Sequence, residues 1–219
     1  MADLSALKQA KNDLIRKALD AALCIAPIAT AIPAALTSGA SADLTALPTD
    51  WKGLGMVTKD DAYTWSRAVE STDTTSHGEL EPTRTDINSD ISSLAFTAQE
   101  TNKRTLELFN NVDLTALTPT AVTGEVAFNN PPRPVTRYYR VMAVAQDGEG
   151  SDTIYIAKIL PRAMVSEPGD QVWSDQNEIT YPMTLTAKKD STLGYSVRHI
   201  FGGPGWKSRL VAMGFPAAA

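Results

Sequence analysis

The sequence predicts a mainly β protein: an antiparallel β-sandwich or partly closed barrel with one short packed α-helix and an N-terminal helical arm. Three observations carry this reading. Ile179, Tyr181, Met183, Leu185 and Ala187 alternate with Thr180, Pro182, Thr184 and Thr186, the two-residue period of a half-buried strand. Two β-rich runs, residues 137–145 and 153–160, are separated by Gln146-Asp147-Gly148-Glu149-Gly150, a spacing that marks a hairpin. A single internal segment, residues 101–109, breaks the strand pattern with helical spacing.

The elements follow in order. Leu4, Leu7, Leu14, Ile15, Ala18 and Ala22 share one helical stripe opposite Lys8, Lys11, Arg16 and Lys17, so residues 4–23 read as an amphipathic helix, either docked on its own domain or an arm that reaches a neighbouring subunit. The basic cluster, the apolar run over residues 21–36 and Ala40-Ser41-Ala42 imitate a signal peptide. Asp3, Asp13 and Asp20 interrupt the first, and Pro27 and Pro33 the second, so the segment reads as part of the protein. The expected organisation is an arm over residues 1–24 and one β domain over residues 25–219. Residues 25–48 suggest a short strand and then an irregular loop through Thr37-Ser38-Gly39-Ala40.

Tyr63, Trp65, Arg67 and Val69 alternate with Thr64, Ser66, Ala68 and Glu70 as a strand. Thr97 with Glu100 three residues on fits a capping box ahead of the helix, and Asn110-Asn111 offers its stop. Pro182 has no N–H to donate, so its strand is expected to sit at an edge or to carry a bulge. Residues 195–201 form a late strand, ended by Gly202-Gly203-Pro204-Gly205. No stretch approaches the ~20 apolar residues that cross a bilayer.

Composition narrows the chemistry. With 219 residues, 43% hydrophobic and 21% charged, the chain matches a globular protein and not a disordered, collagenous or coiled-coil one. Cys24 is the single cysteine, which excludes an intrachain disulfide and a thiolate metal cage, and His77 and His199 are too few for a His-rich metal site. A formal charge of −5 lacks the basic footprint of a dedicated nucleic-acid binder. HExxH, GxSxG and GxGxxG are absent. Gly203-Pro204-Gly205-Trp206-Lys207-Ser208 has the wrong spacing for a phosphate loop and reads as a turn. Residues 147–152 lack the ligand order of a calcium loop and read as a hairpin tip. Trp65 and Trp173 are expected to pack in the core, and Cys24 to be an inert buried thiol. The expectation is no catalytic residue, no cofactor and no metal.

Charge placement is the informative feature. Residues 60–90 hold Asp60, Asp61, Glu70, Asp73, Glu79, Glu81, Asp86 and Asp90 against only Arg67 and Arg84, an excess larger than the net charge of the whole chain. Ser71-Thr72-Asp73-Thr74-Thr75-Ser76 lies at the centre of this window, followed by His77 and Gly78. A solvated face of an antiparallel sheet explains such a run by itself.

Three runs carry a resemblance: Asp60-Asp61-Ala62-Tyr63-Thr64-Trp65-Ser66-Arg67, then Gly78-Glu79-Leu80-Glu81-Pro82-Thr83-Arg84-Thr85-Asp86, then Leu94-Ala95-Phe96-Thr97-Ala98-Gln99-Glu100-Thr101. Arg137-Tyr138-Tyr139-Arg140-Val141, Gln171-Val172-Trp173-Ser174-Asp175 and Gly202-Gly203-Pro204-Gly205-Trp206 follow in the same order. Together they resemble the major tail tube proteins of long-tailed actinobacteriophages, across about residues 25–214.

The resemblance implies a structural virion protein, not an enzyme, whose subunits form hexameric rings that stack into the tail tube and conduct the genome into the host. It implies self-association, together with a tape measure protein, a tail terminator and distal tail proteins as partners. Double-stranded DNA would pass through unbound, with no membrane involved. The expected location is the virion tail, with assembly in the host cytoplasm. The eight acids are then expected to face the lumen, and residues Ser71, Thr72, Asp73, Thr74, Thr75, Ser76, His77 and Gly78 to form a ring-stacking loop. A carbohydrate- or receptor-binding β-sandwich, a decoration or adhesion module, is the alternative.

Overall fold

The computed structural model describes residues 3–60 and 62–218, so Asp61 lies outside the described residues. The regular elements run α1 (Leu4–Lys8), β1 (Asp20–Pro27), β2 (Thr37–Ser38), β3 (Asp43–Leu44), β4 (Lys52–Gly53), β5 (Thr64–Thr74) and β6 (Arg84–Ala98). Then come α2 (Lys103–Phe109), β7 (Tyr139–Asp147), β8 (Ile154–Pro168), β9 (Tyr181–Ala187), β10 (Arg198–Gly202) and α3 (Pro204–Arg209). One antiparallel sheet has the order β4-β1-β7-β8-β9-β6-β5, with β10 also paired to β8, while β2 and β3 form a two-residue ladder. No helix among the described residues is long and apolar enough to cross a membrane.

β8 makes the sheet fold over itself. Its first part pairs with β7 on one side and, over Tyr155 to Ile159, with β10 on the other. From Ala163 onward it pairs with β9 instead. Leu23, Val141 and Leu160 from one end of the strand order therefore share a core with Leu94, Phe96, Met183 and Leu185 from the other. Each fully buried leucine here contributes ~1.5–3 kcal/mol. The chain after β4 spans the gap between the two ends: Leu54 N–H donates to Leu23 O at 2.8 Å, and Thr58 N–H to Thr97 O at 2.9 Å. The outermost strands β4 and β5 are not paired to each other among the described residues. α2 lays Leu106, Leu108 and Phe109 on this core, with Phe109 edge-on to Tyr181 at 5.4 Å. A second cluster (Ala26, Leu36, Trp51, Met142, Ala157 and Ile159) fills the opposite face of β1, β7 and β8.

Several expectations hold. The hairpin at residues 147–154 closes with Asp147 opposite Ile154, β9 alternates buried and half-buried positions, and β10 ends at Gly202. Asn110 caps α2, and Asn111 takes a left-handed conformation at φ 51° beyond it.

Others are corrected. The helix expected over residues 4–23 is not formed as one element. α1 stops at Lys8, before Gln9 at φ 43°, a 3-10 turn occupies Asn12–Leu14, and Asp20 opens β1. Most of the apolar stripe has no face to pack on: Leu4, Leu7 and Ile15 are exposed and Leu14 is only half-buried, and a short helix without burial is marginal. Leu23 is buried because it lies opposite Ala143 in the ladder.

The capping box at Thr97 is also overturned. Thr97 and the fully buried Ala98 continue β6, and Glu100 accepts the Met56 N–H at 2.9 Å. Asn102 caps α2 instead, its Oδ1 accepting from Arg104 and Thr105 N–H at 3.0 Å each.

Pro182 sits on an interior strand, not an edge. Its carbonyl accepts the Gly169 N–H at 2.8 Å, so its missing donor faces the place where β8 leaves the ladder, beyond the Pro168–Met183 pair. The bulge lies on β8, between Val165 and Glu167. The turn expected at residues 203–208 begins with Gly203 at φ 104° and becomes α3, with Pro204 in its first turn.

Candidate functional site

The feature that stands apart from the core is the β5–β6 hairpin. Its ladder runs from Thr64–Ala95 to Thr74–Arg84, with one irregularity after Glu70 that leaves Asn88 without an opposite residue. β9 supports β6 only from Ser93 to Ala98. Beyond that point the two strands extend by themselves; past Trp65 no residue of β5 is even half-buried. Nine residues of extended chain reach about 30 Å. The tip is the turn after Thr74, where Glu79 N–H donates to Ser76 O at 3.1 Å and Ser76 and Thr83 hydroxyls meet at 2.8 Å. Leu80 at the tip is fully exposed, and Val69, Ile87 and Ile91 along the arm are exposed as well.

The register assigns each side chain a face, because directly opposed residues project together. Trp65 opposite the buried Leu94 marks the core face, which continues outward through Arg67, Val69 and Asp73 with Ser92, Asp90 and Thr85. The other face carries Thr64, Ser66, Ala68, Glu70, Thr72 and Thr74 opposite Ala95, Ser93, Ile91, Ser89, Asp86 and Arg84. It extends over β9 and β8 through Thr184, Thr186 and Ser166. Its hydroxyls largely satisfy one another: Ser66 to Ser93 at 2.6 Å, Thr186 to Ser166 at 2.7 Å, and Asn88 to Thr72.

The structure does not gather the acids on one wall. Glu70 and Asp86 are on the hydroxyl face, Asp73 and Asp90 on the core-side face, Glu79 and Glu81 at the tip, and Asp60 ahead of β5. Glu79 and Glu81 belong to the turn between β5 and β6. The two bases are both engaged. Arg67 grips Asp90 with two bonds at 2.7 and 2.6 Å, which hold the Asp90 carboxyl below the usual carboxylate range, and Arg84 pairs with Asp86 at 2.8 Å. Asp73 accepts the Thr85 hydroxyl at 2.6 Å. Of the stacking segment, Ser71, Thr72, Asp73 and Thr74 complete β5, and Thr75, Ser76, His77 and Gly78 enter the turn.

A second feature escaped sequence reasoning. Past Ala163, no strand among the described residues pairs with β8 opposite β9, so residues 164–168 present an edge, as residues 65–74 of β5 do at the far side of the same four strands. The exposed, polar end of β8, Ser166-Glu167-Pro168, was the available signal.

Among the described residues, nothing elsewhere assembles into reactive geometry. His199 lies opposite Lys158 in the β10–β8 ladder, and burial, then the lysine's charge, lower its pKa. Cys24 is half-buried on β1, and burial raises its thiol. Trp173, expected in the core, is exposed, its Nε1 donating to Gln171 at 2.9 Å. Arg140 and Asp190 form a buried pair at 3.2 Å. The backbone N–H of Leu193, then that of Thr192 and the arginine, lower the Asp190 pKa against the cost of burial.

Among solved structures, the chain is similar to two chains from gene transfer agent particles. One, from the tail of an empty particle refined with C6 symmetry, has 11% identity and a TM-score of 0.35, covering 64% of this chain and 84% of that one. The other, from a native virion, has 12% identity and a TM-score of 0.35, covering 70% and 92%. An Hcp protein has 11% identity and a TM-score of 0.32, covering 84% and 98%. No curated protein matches the chain. A family profile described as phage tail tube protein matches residues 9–197, most of the chain and all of the long hairpin, and on that match this chain belongs to the phage tail tube protein family, structural components of the virion tail.

Proposed function

We propose that copies of this chain join edge to edge, β5 of one against residues 164–168 of the next. They close hexameric rings that stack into the tail tube of a long-tailed actinobacteriophage and conduct its genome into the host. One observation carries this: the four strands β8, β9, β6 and β5 alternate in direction, and among the described residues no strand pairs with the outer sides of residues 164–168 and 65–74. Because four is even, the next copy's β8 runs antiparallel to β5, and the ladder continues around a ring without a break in its pattern. Closure removes exposed edges that would otherwise invite unspecific pairing.

The hydroxyl face then lines the bore. It carries Glu70, Asp86 and, from β8, Glu167 against Arg84, so it stays net negative while most of it is uncharged. Duplex DNA, with one charge per ~1.7 Å of axis, is repelled weakly everywhere and held nowhere. In this reading Glu70 and Asp86 are the lumen-facing acids among the eight, and the turn after Thr74 meets the next ring. Residues 3–17, outside the sheet, act as an arm toward a neighbour. The tape measure protein would occupy the bore before the genome, and the terminator and distal tail proteins would close the two ends, with assembly in the host cytoplasm.

Electron microscopy of the purified protein tests the proposal. Tubes with an axial channel are expected; a monodisperse monomer that binds glycans would favour the adhesion-module alternative and end this reading.

A further inference from the structure

At the base of the hairpin lies an open groove of about 630 Å³, walled by Leu19, Met56, Tyr63 and Trp65 and bearing Lys59 and Lys158, with Asp20 at its margin. Lys158 Nζ sits over the Trp65 ring at 4.4 Å, so a cation and an aromatic surface are offered together. Leu19 and Met56 are 66% and 70% exposed although they line a concavity. At the other end of the same arm the tip presents the opposite pattern: a fully exposed Leu80 flanked by Glu79 and Glu81.

We propose that the Glu79-Leu80-Glu81 tip of one copy docks in this groove of another, Leu80 against Met56 and Trp65, with the two glutamates beside Lys59 and Lys158. The occupant must be a second copy, because Trp65 belongs to the hairpin's own root and the tip stands about 30 Å away along the paired strands. An apolar contact ringed by opposite charges fixes orientation as well as contact. Groove and tip are different surfaces on one arm, so the contact is head-to-tail and does not close on itself; each added copy exposes a fresh groove at one end and a fresh tip at the other. This rests on the tube reading above and deepens it by naming what receives the stacking turn.

The test is cysteine pairing in assembled protein with Cys24→Ala as background. Leu80→Cys with Met56→Cys is expected to give a ladder of disulfide-linked multimers on oxidation, absent from either single variant. Leu80→Asp, at a site with no contacts to its own fold, is expected to leave the melting temperature unchanged and yield short or single rings. Glu79→Lys with Glu81→Lys is expected to do the same, and adding Lys59→Glu with Lys158→Glu to recover length. Full-length tubes from Leu80→Asp, or tubes of the paired-cysteine protein that show no ladder, overturn the docking while leaving ring formation intact. Failure of the unmodified protein to form rings or tubes overturns the tube reading itself.

Discussion

Arg67 and Asp90 lie diagonally across the β5–β6 ladder and meet through two hydrogen bonds on the side of the arm that continues the core face. Both are exposed, so the pair adds little to global stability. It clamps a stretch that β9 no longer supports. Arg67→Ala should increase amide exchange over residues 67–71 and 86–92 and leave the melting temperature of the protein unmoved. Unchanged exchange would show that the ladder alone holds the arm.

The same pair has a pH signature. Hydrogen bonding to Arg67 lowers the Asp90 pKa, so the contribution is complete above an unfolded carboxylate's value of about 3.9 and is lost as pH falls through the lowered native value. Arg67→Ala should move the NMR-detected titration of Asp90 upward, toward that ordinary value.

Asn102 holds the start of α2 twice, through its Oδ1 to two N–H groups and through its Nδ2 to Leu54 O at 2.7 Å. Asn102→Ala should cost about 1–2 kcal/mol, measured by denaturant unfolding, and Asn102→Asp should recover only the capping part. Leu185→Ala, at a fully buried position opposite Leu94, should cost about 2–5 kcal/mol.

Edge pairing predicts a position-specific proline effect. Of two successive residues in β5, one points its N–H to β6 and the other outward. Among Arg67→Pro and Ala68→Pro, one should disturb the hairpin, and the other should leave a folded protein that no longer forms rings by electron microscopy. Ring formation by both variants would rule out β5 as the joining edge.

The proposed lining of the bore is tested at Ser93 and Thr186, which share the hydroxyl face. Lysine at both should leave tubes intact and slow genome ejection from virions, and ejection at the ordinary rate would remove this face from the channel. Lysine at Asp73, on the opposite face, is the control.

Much of the sheet was legible in the sequence because burial on one face writes a two-residue period, as in Tyr181, Met183, Leu185 and Ala187. The same logic explains the errors. Leu4, Leu7 and Ile15 write a helical stripe with nothing to cover it within one chain, so pattern without burial yielded only α1. Thr97 carries a capping signal, but Ala98 is needed in the core, and tertiary packing overrides the local preference. The acids in residues 60–90 were visible as a cluster, yet their faces depend on register and on the irregularity after Glu70, which composition does not encode. The edge at residues 164–168 is a property of where β7 begins, at Tyr139 opposite Ala163, and in the sequence only the polar Ser166-Glu167-Pro168 hints at it.

The change of partner along β8 has a mechanical consequence. Tension applied lengthwise to the hairpin passes from β6 to β9 and into the far half of β8, whose near half is anchored between β7 and β10. Those ladders are loaded in shear, with many bonds resisting together instead of parting one at a time. A hairpin rooted in this way stretches stiffly and does not unzip.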